Sequence, residues 1–470
     1  MSHALPYHSN VRTGSLIPIL ITLTLGLGSD MEPRELAAQE NVAFNSSDVA
    51  GLTFRSIGPP RGGRSTAVAG ITEKPLTYFL GGTGSGVWKT VDAGLNWVNI
   101  SDGYFDVGSI GAIDVADSDP NVIYVGTGSA DPRGNVSSGN GIYKSTDGGE
   151  TWAHAGLPNA GQIGRIAVHP DDPDVAYAGV LGNIFGPNSE RGVYRTRNGG
   201  STWENVLFVS DSTGVRDLAL NPQNPRILFA ATWRAERKPW TMISGAEEGG
   251  IWRTKDSGDT WEKLGGGLPE GLVGKAAVTV SRANPDRVWV LIEAPNDRGG
   301  VYRSDDGGDT WTHINDERRL QQRAWYYTHI YADPQDENTV YALNTGYNKS
   351  IDGGVTWTSY SVPHGDVHDL WVNYENPNFQ VVANDGGAQV TTTAAESWST
   401  YYNQPTAEIY RVFVDDQFPY RVYGSQQDNS TIMVPSRDMP AVQPAQHWSA
   451  VGGCESGHIA IDPRNPNVTY

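Results

Sequence analysis

The 470-residue sequence predicts an all-β fold, a β-propeller of seven or more four-stranded blades. Three observations predict it. A turn motif, Ser/Thr-x-Asp-x-Gly-x-x-Trp, recurs at 90–97, 145–152, 254–261, 304–311 and 350–357. A second element, apolar strand, Pro turn, apolar strand, recurs out of phase with it, as in 113–126 and 166–177. The composition, with 56 Gly, 28 Pro and 15 Trp, suits many short strands joined by turns, and no long amphipathic helix is present.

The first motif, an Asp box, is built as a tight turn. Its Asp suits such a turn because the carboxylate accepts backbone N–H groups, and its Gly supplies positive φ. Its Trp is expected to bury a ring against the next repeat. The box carries Asp92, Asp147, Asp256, Asp306 and Asp352 in its good copies. Asn198 stands in place of the acid in a sixth, and 391–398 keeps only Thr391 and Trp398. So many copies mark scaffold rather than catalysis. The Pro turns continue at Asn221-Pro222, Asn284-Pro285, Asp333-Pro334, Asn376-Pro377 and Phe418-Pro419. Together the two elements give strands A to D, with strand A beginning near 64, 107, 161, 214, 273, 326, 366, 408 and 457. The expected organisation is a signal peptide at 1–30 and a linker at 31–50. A seven-blade Asp-box propeller at 51–405 follows. Residues 406–470 are an eighth blade and the start of a further one, in a second ring or in a larger single ring. The last repeat stops mid-hairpin at Tyr470, so a C-terminally truncated fragment is expected, with the rest of the parent protein as its neighbour.

The net charge of −19 disfavours a nucleic-acid partner. A single cysteine, Cys454, leaves no intrachain disulfide and no Cys-based zinc site. Arg12 precedes an apolar run at 16–27 that is too short to span a bilayer but suits a signal peptide. A secreted or periplasmic protein with no stable membrane span is expected.

Function is expected on the face opposite the Asp boxes, at the channel mouth, where strand A starts and the B–C loops lie. One register of strand-A starts holds Ser109, Gln162, Gly214, Gly274, Tyr326, Asp366, Glu408 and Glu455. Asp366, Glu408 and Glu455 are therefore the candidate catalytic acids. His364, Asp366 and His368, at i−2, i and i+2, share one side of an extended strand and form a candidate divalent-cation site; no other cofactor is implied. The long loop at 232–242 offers Trp233, Arg234 and Trp240 as ligand contacts, with Trp325 and Tyr326 nearby.

Longer stretches carry a resemblance. These are Phe54-Arg55-Ser56-Ile57-Gly58-Pro59 with Gly62-Gly63-Arg64, His364-Gly365-Asp366-Val367-His368-Asp369-Leu370-Trp371, Asn384-Asp385-Gly386-Gly387 and Tyr423-Gly424-Ser425-Gln426-Gln427-Asp428-Asn429. With the boxes, they resemble the Asp-box (BNR) propellers of sortilin-like and xyloglucanase-like secreted bacterial proteins. The resemblance implies a scaffold that binds a peptide or glycan, or alternatively a glycoside hydrolase acting on a polysaccharide. A metal-dependent activity at the His364/Asp366/His368 cluster is a third reading. Asp385 and Asp428, in the resembling stretches, join the ligand-binding candidates. The xyloglucanase-type catalytic Asp of the first blade has no counterpart, since the matching stretch is Gly82-Thr83-Gly84-Ser85-Gly86.

Overall fold

The computed structural model describes residues 46–470 except 135, 438–440, 444 and 454. The expected signal peptide, most of the expected linker and Cys454 lie outside the described residues. Two units separate after residue 55, and the sheets belong to the second, residues 56–470.

Eight antiparallel sheets succeed one another along the chain. Blade 1 is built of Ser65–Ile71, Lys74–Gly82, Val87–Thr90 and Val98–Asn99, in that spatial order. The inner strands of the next six are Ile110–Val115, Ile163–Val168, Thr213–Leu220, Ala276–Val280, His329–Ala332 and Val367–Val372. Each packs on its neighbour, and the inner strand of the seventh sheet packs on that of the first. Seven apolar clusters lie between successive sheets, and one of them joins blade 7 to blade 1 through Val381, Ala383 and Val390 against Val68, Tyr78 and Leu80. The eighth sheet, Ile409–Val414 to Ser449–Gly452, contributes to none of these clusters, and its inner strand leaves Val412 and Val414 exposed. The seventh sheet has three strands, and the fourth carries an additional hairpin.

Every box builds the same turn. Ser145 Oγ accepts the amides of Asp147 and Gly149 at 3.3 and 2.9 Å, and Asp147 Oδ1 accepts the amide of Thr151 at 2.9 Å. Gly148 and Gly149 supply φ of 72° and 90°. Asn198 repeats the geometry, its Oδ1 accepting the amide of Thr202 at 2.9 Å. In the degraded seventh box Thr393 takes the place of the acid, its hydroxyl accepting the amide of Ser397 at 3.0 Å. An amide of the box turn then donates to a carbonyl of its own A–B turn, as from Gly148 to Asn121 at 2.9 Å and from Gly307 to Asp286 at 2.8 Å. This bond recurs in all seven blades and places both turns on one face.

The box tryptophans differ from expectation, since they pack on the preceding blade. Trp152 Nε1 donates to the carbonyl of Ile100 at 2.8 Å, Trp203 Nε1 to that of Ala155 at 2.7 Å, and Trp97 lies in the cluster shared by blades 7 and 1. The turn sends the ring back over the sheet face that meets the earlier repeat.

A β-bulge recurs near the start of the inner strand, at Thr66, Gly111, Gly164, Arg216 and His368. A bulge inserts one residue and re-aims the side chains around it. Two of these positions are glycine because space is lacking: a Cβ on Gly111 meets Ile163 O at 2.2 Å, and one on Gly164 meets Arg216 O at 2.4 Å. In blades 4 and 7 the bulge carries a cation into the channel.

Candidate functional site

The channel mouth is filled by a buried ionic network to which several blades contribute. Asp131, from the B–C loop of blade 2, accepts hydrogen bonds from Lys275 Nζ and Arg216 Nη2, both at 2.9 Å. His368 lies between two acids, with Nδ1 3.2 Å from Asp131 and Nε2 2.7 Å from Asp385. Arg64 grips Asp385 through Nε at 2.6 Å and Nη2 at 3.0 Å. The same guanidinium bonds Asp428 of the eighth sheet and lies 3.5 Å from Glu408.

The electrostatics follow from this packing. Burial lowers the pKa of His368, but Asp385 and Asp131 outweigh it and raise it to about 9. Burial raises that of Asp385, but His368 and Arg64 hold it well below the usual carboxylate range. Burial pushes Lys275 down to about 8, with Asp131 opposing and Arg216 reinforcing. Asp428 is raised to about 7 by burial and by neighbouring Asp385, since Arg64 is already shared between carboxylates. Deeper in the channel Arg165 binds Asp217 at 2.8 Å, Tyr331 at 3.1 Å and Asp369 at 3.3 Å. Asp217 and Asp369 also accept the amides of Val278 and Val68 from neighbouring blades, at 3.1 and 2.9 Å.

An apolar cluster packs against the network, with Lys275 5.7 Å from the Trp233 ring. Ala130, Leu181, Ile184, Trp233 and Ala235 form it, with Val136, Met242 and Trp325 packed against them. A separate cavity of about 260 Å³ lies on the axis between the seven inner strands, and a cleft of about 420 Å³ opens to one side. Ser85, Ser109, Ser129 and Ser137 line one part, and Arg64, Arg133 and Glu408 another. Nearby is a stack of aromatic rings. Tyr401 and Tyr402 lie 4.3 Å apart, Trp448 lies 6.1 Å from Tyr402, and Arg61 sits over Trp448 at 5.3 Å. His364 links this stack to the network, with its ring 5.7 Å from Tyr401 and its Nε2 3.1 Å from the carbonyl of Asp428.

The sequence-predicted residues separate into those that converge here and those that do not. Glu408, Asp385, Asp428 and Tyr326 gather around Arg64, whose guanidinium lies 5.9 Å from the Tyr326 ring. Glu455 joins from the eighth sheet, accepting the Asp428 amide at 2.9 Å and Gln427 Nε2 at 2.7 Å. Asp366 is not on Arg64 but beside Tyr327, whose ring lies 5.8 Å from His368, and its amide is bound to Thr345 O at 3.1 Å. The expected cation cluster does not form. Asp366 has φ of 61°, and the bulge at His368 comes directly after it, so the strand is not extended over 364–368. His368 turns inward, fully buried, while His364 faces Asp428. Among the described residues no group of three His, Cys, Asp or Glu could hold a metal.

The 232–242 loop also departs from expectation. It is a strand, Leu228–Lys238, paired with Thr241–Ser244, and Trp233 is fully buried. Trp240 at the hairpin tip is 81% exposed, Arg234 is half-buried, and Trp325 lies beneath Arg237 at 5.8 Å. Sequence reasoning missed Arg64, Arg133, Asp131 and Lys275 as site residues. It also missed Tyr401, Tyr402 and Trp448. Only Arg64 belongs to one of the resembling stretches; the others sit in loops and strands with no local signature.

A family model, "Sortilin, neurotensin receptor 3", matches residues 140–288. A xyloglucanase of a Paenibacillus species is 27% identical over 218 residues, covering 42% of this chain and 20% of that protein. A xyloglucanase of Acetivibrio thermocellus is 26% identical over 272 residues, covering 51% of this chain and 30% of that protein. The matches thus span less than a third of the length of these relatives. Among solved structures, a GH74 xyloglucanase of Xanthomonas campestris superimposes with a TM-score of 0.60 at 14% identity, covering 87% of this chain and 71% of that one. PorZ of Porphyromonas gingivalis, a component of the type-IX secretion system, gives 0.51 at 12%, covering 87% and 49%. At these identities the superpositions speak for the fold. The chain is an Asp-box β-propeller, sortilin-like and xyloglucanase-like in its sequence.

Proposed function

We propose that this propeller is the glycan-holding scaffold of an exported protein, with the side cleft as its ligand site. One observation carries the reading. The cleft wall offers four serine hydroxyls with Thr83 and Thr406, and Ser85 and Gly84 stand where the xyloglucanase-type resemblance expects a catalytic Asp. Hydroxyl groups that both donate and accept match the hydroxyls of a sugar, and the Tyr401–Tyr402–Trp448 stack provides ring faces for its C–H surfaces. A wall without a carboxylate at that point favours holding a sugar over cleaving it. A peptide is the other ligand class that the sortilin-like resemblance supports. The test is titration calorimetry with plant and algal oligosaccharides, using Ser129→Val and Tyr402→Ala. Binding weakened about tenfold by each variant is expected. Unchanged affinity in both, or binding of peptides alone, refutes the reading. Export, proposed from Arg12 and the apolar run at 16–27, is tested by sequencing the mature N-terminus.

One observation favours hydrolysis as the second reading. Glu408 lines the cleft, and Asp428, which burial and neighbouring Asp385 raise to about 7, shares the Arg64 guanidinium with it, so a carboxyl inclined to hold a proton and a second acid stand on one guanidinium. Reducing-sugar release that disappears in Asp428→Asn and Glu408→Gln establishes it. Binding without release from any substrate excludes it.

A further inference from the structure

We infer that the glycan is acidic, a uronate-bearing polysaccharide, and that the Trp240 hairpin is its second point of contact. This rests on the glycan reading of the cleft and adds the substrate's charge. The chain carries a net charge of −19, yet residues 232–242 hold Arg234, Arg237 and Lys238 against a single acid, Glu236. Glu236 pairs with Lys238 and lies 4.0 Å from Arg234, which Glu248 also faces, so the surplus positive charge of the hairpin is centred on Arg237. A polyanion is repelled by the chain as a whole and needs a local basic patch to approach. The hairpin and Arg133 form such a patch at the mouth.

The hairpin is held firmly. Trp233 Nε1 donates to Ser244 Oγ at 3.1 Å, and Lys275 lies 5.7 Å from the Trp233 ring. Buried Arg191 donates to the carbonyls of Leu181 at 2.7 Å, Asn183 at 3.0 Å and Ala235 at 3.3 Å. The Arg237 amide donates to Ile184 O at 2.7 Å. The register pairs Lys238 with Thr241, which leaves Pro239 and Trp240 as the tip. An 81% exposed Trp on a rigid hairpin costs little entropy to use, and its face suits a sugar ring.

The hairpin also borders the cleft. Met242 on the hairpin and Val136 on the cleft wall pack against one apolar cluster. Inside the cleft, Arg133 Nη1 makes no hydrogen bond, and its ion-pair partner, Asp428, is 4.0 Å away. Arg133 and the hairpin cations thus offer two positions for carboxylates, with the serine row between sugar hydroxyls and the protein. A neutral glycan would use the hydroxyls and Trp240 but leave the cations unmatched.

The experiment is titration calorimetry of the 470-residue chain at low and high salt. The probes are oligogalacturonates, the same oligosaccharides after carboxyl reduction, xyloglucan oligosaccharides and poly-glutamate. Oligogalacturonate is expected to bind, to lose about tenfold on carboxyl reduction, and to weaken with salt. Arg133→Gln, the pair Arg237→Gln/Lys238→Gln, and Trp240→Ala are each expected to cost about tenfold, the scale of one charge-assisted or ring contact. Trp240 is exposed, so its variant tests contact rather than folding. Equal or tighter binding of the reduced or xyloglucan oligosaccharides overturns the acidic assignment while leaving the glycan reading standing. Equal competition by poly-glutamate also overturns it. Binding of no saccharide at all overturns both.

Discussion

Replacing Asp131 by Asn removes the charge at the centre of the buried network and leaves its partners in place. Lys275, fully buried and already pushed down to about 8, then loses the carboxylate that opposed that fall and keeps as acceptors the carbonyl of Tyr326 at 2.9 Å and one amide oxygen at position 131. Arg216 keeps its bond to Gly164 O at 2.8 Å but loses its carboxylate. Removing one partner of a buried ion pair costs about 3–5 kcal/mol, because the other charge stays desolvated. The position of His368 gives an independent scale. Its pKa is raised from 6.5 to about 9. The rise is net of burial and shared by Asp385 and Asp131, so it sets a scale of roughly a few kcal/mol for the two acids together. Both routes predict a loss of a few kcal/mol.

The assay is urea unfolding at pH 7 followed by tryptophan fluorescence, for Asp131→Asn and for Asp131→Asn/Lys275→Met. The single variant is expected to lose about 3–5 kcal/mol. The double variant is expected to recover more than about 1 kcal/mol of that loss, because the lysine left without its carboxylate is gone. A single-variant loss under about 1 kcal/mol, or a double variant less stable than the single, refutes the reasoning.

The protonated form of His368 is favoured by folding, so its contribution is complete below the unfolded value near 6.5 and fades as pH rises through about 9. The unfolding midpoint should therefore decline across that window, and His368→Gln should flatten the decline. Asp428 also holds its proton more tightly when folded; its contribution is complete below about 3.9 and is lost as pH rises through about 7. Hydrogen exchange in 409–452, corrected for its intrinsic pH dependence, should be faster at pH 8 than at pH 5, and Asp428→Asn should remove the difference. Trp152→Ala empties the seam between blades 1 and 2 and is expected to cost about 3–5 kcal/mol in urea unfolding. Asp147→Asn, by contrast, should leave the midpoint unchanged, since Asn198 builds the same turn in the third box.

The fold was legible because its signal is local and repeated. A turn such as 145–152 makes the hydrogen bonds that shape its backbone within itself and with its own A–B turn, so residue types alone specify it. The direction of Trp152 was not legible, because the choice between preceding and following sheet is a tertiary one. The candidate site was legible in part. Asp385, Glu408, Asp428 and Glu455 do meet near the mouth, but the His-x-Asp-x-His reading assumed an extended strand. A positive φ at Asp366 and a bulge at His368 leave no trace in spacing. Arg64, Asp131, Lys275 and Asp385 come from four different blades, so no window of sequence contains their interaction.

The network decides where a ligand can bind. A propeller channel usually offers its axis, but here the Asp131–Lys275–His368 network fills the mouth end and Arg165, Asp217 and Asp369 are paired below it. Admitting a ligand on the axis from the mouth would mean opening buried ion pairs, at about 3–5 kcal/mol for each charge left unpaired. At the end bearing the Asp-box turns the axis is open, a cavity of about 260 Å³ lined by the inner strands of all seven blades; at the mouth the open space lies where the ring meets the segment leading into the eighth sheet, with Arg64 and Glu408 on its wall. Arg64 holds Asp385 of blade 7 and Asp428 of the eighth sheet with one guanidinium. A ligand in the cleft therefore touches the residue that joins ring to eighth sheet. Where its contact with Arg64 differs between the docked and released sheet, its binding and the hold on that sheet are linked, each changing the other by the same amount.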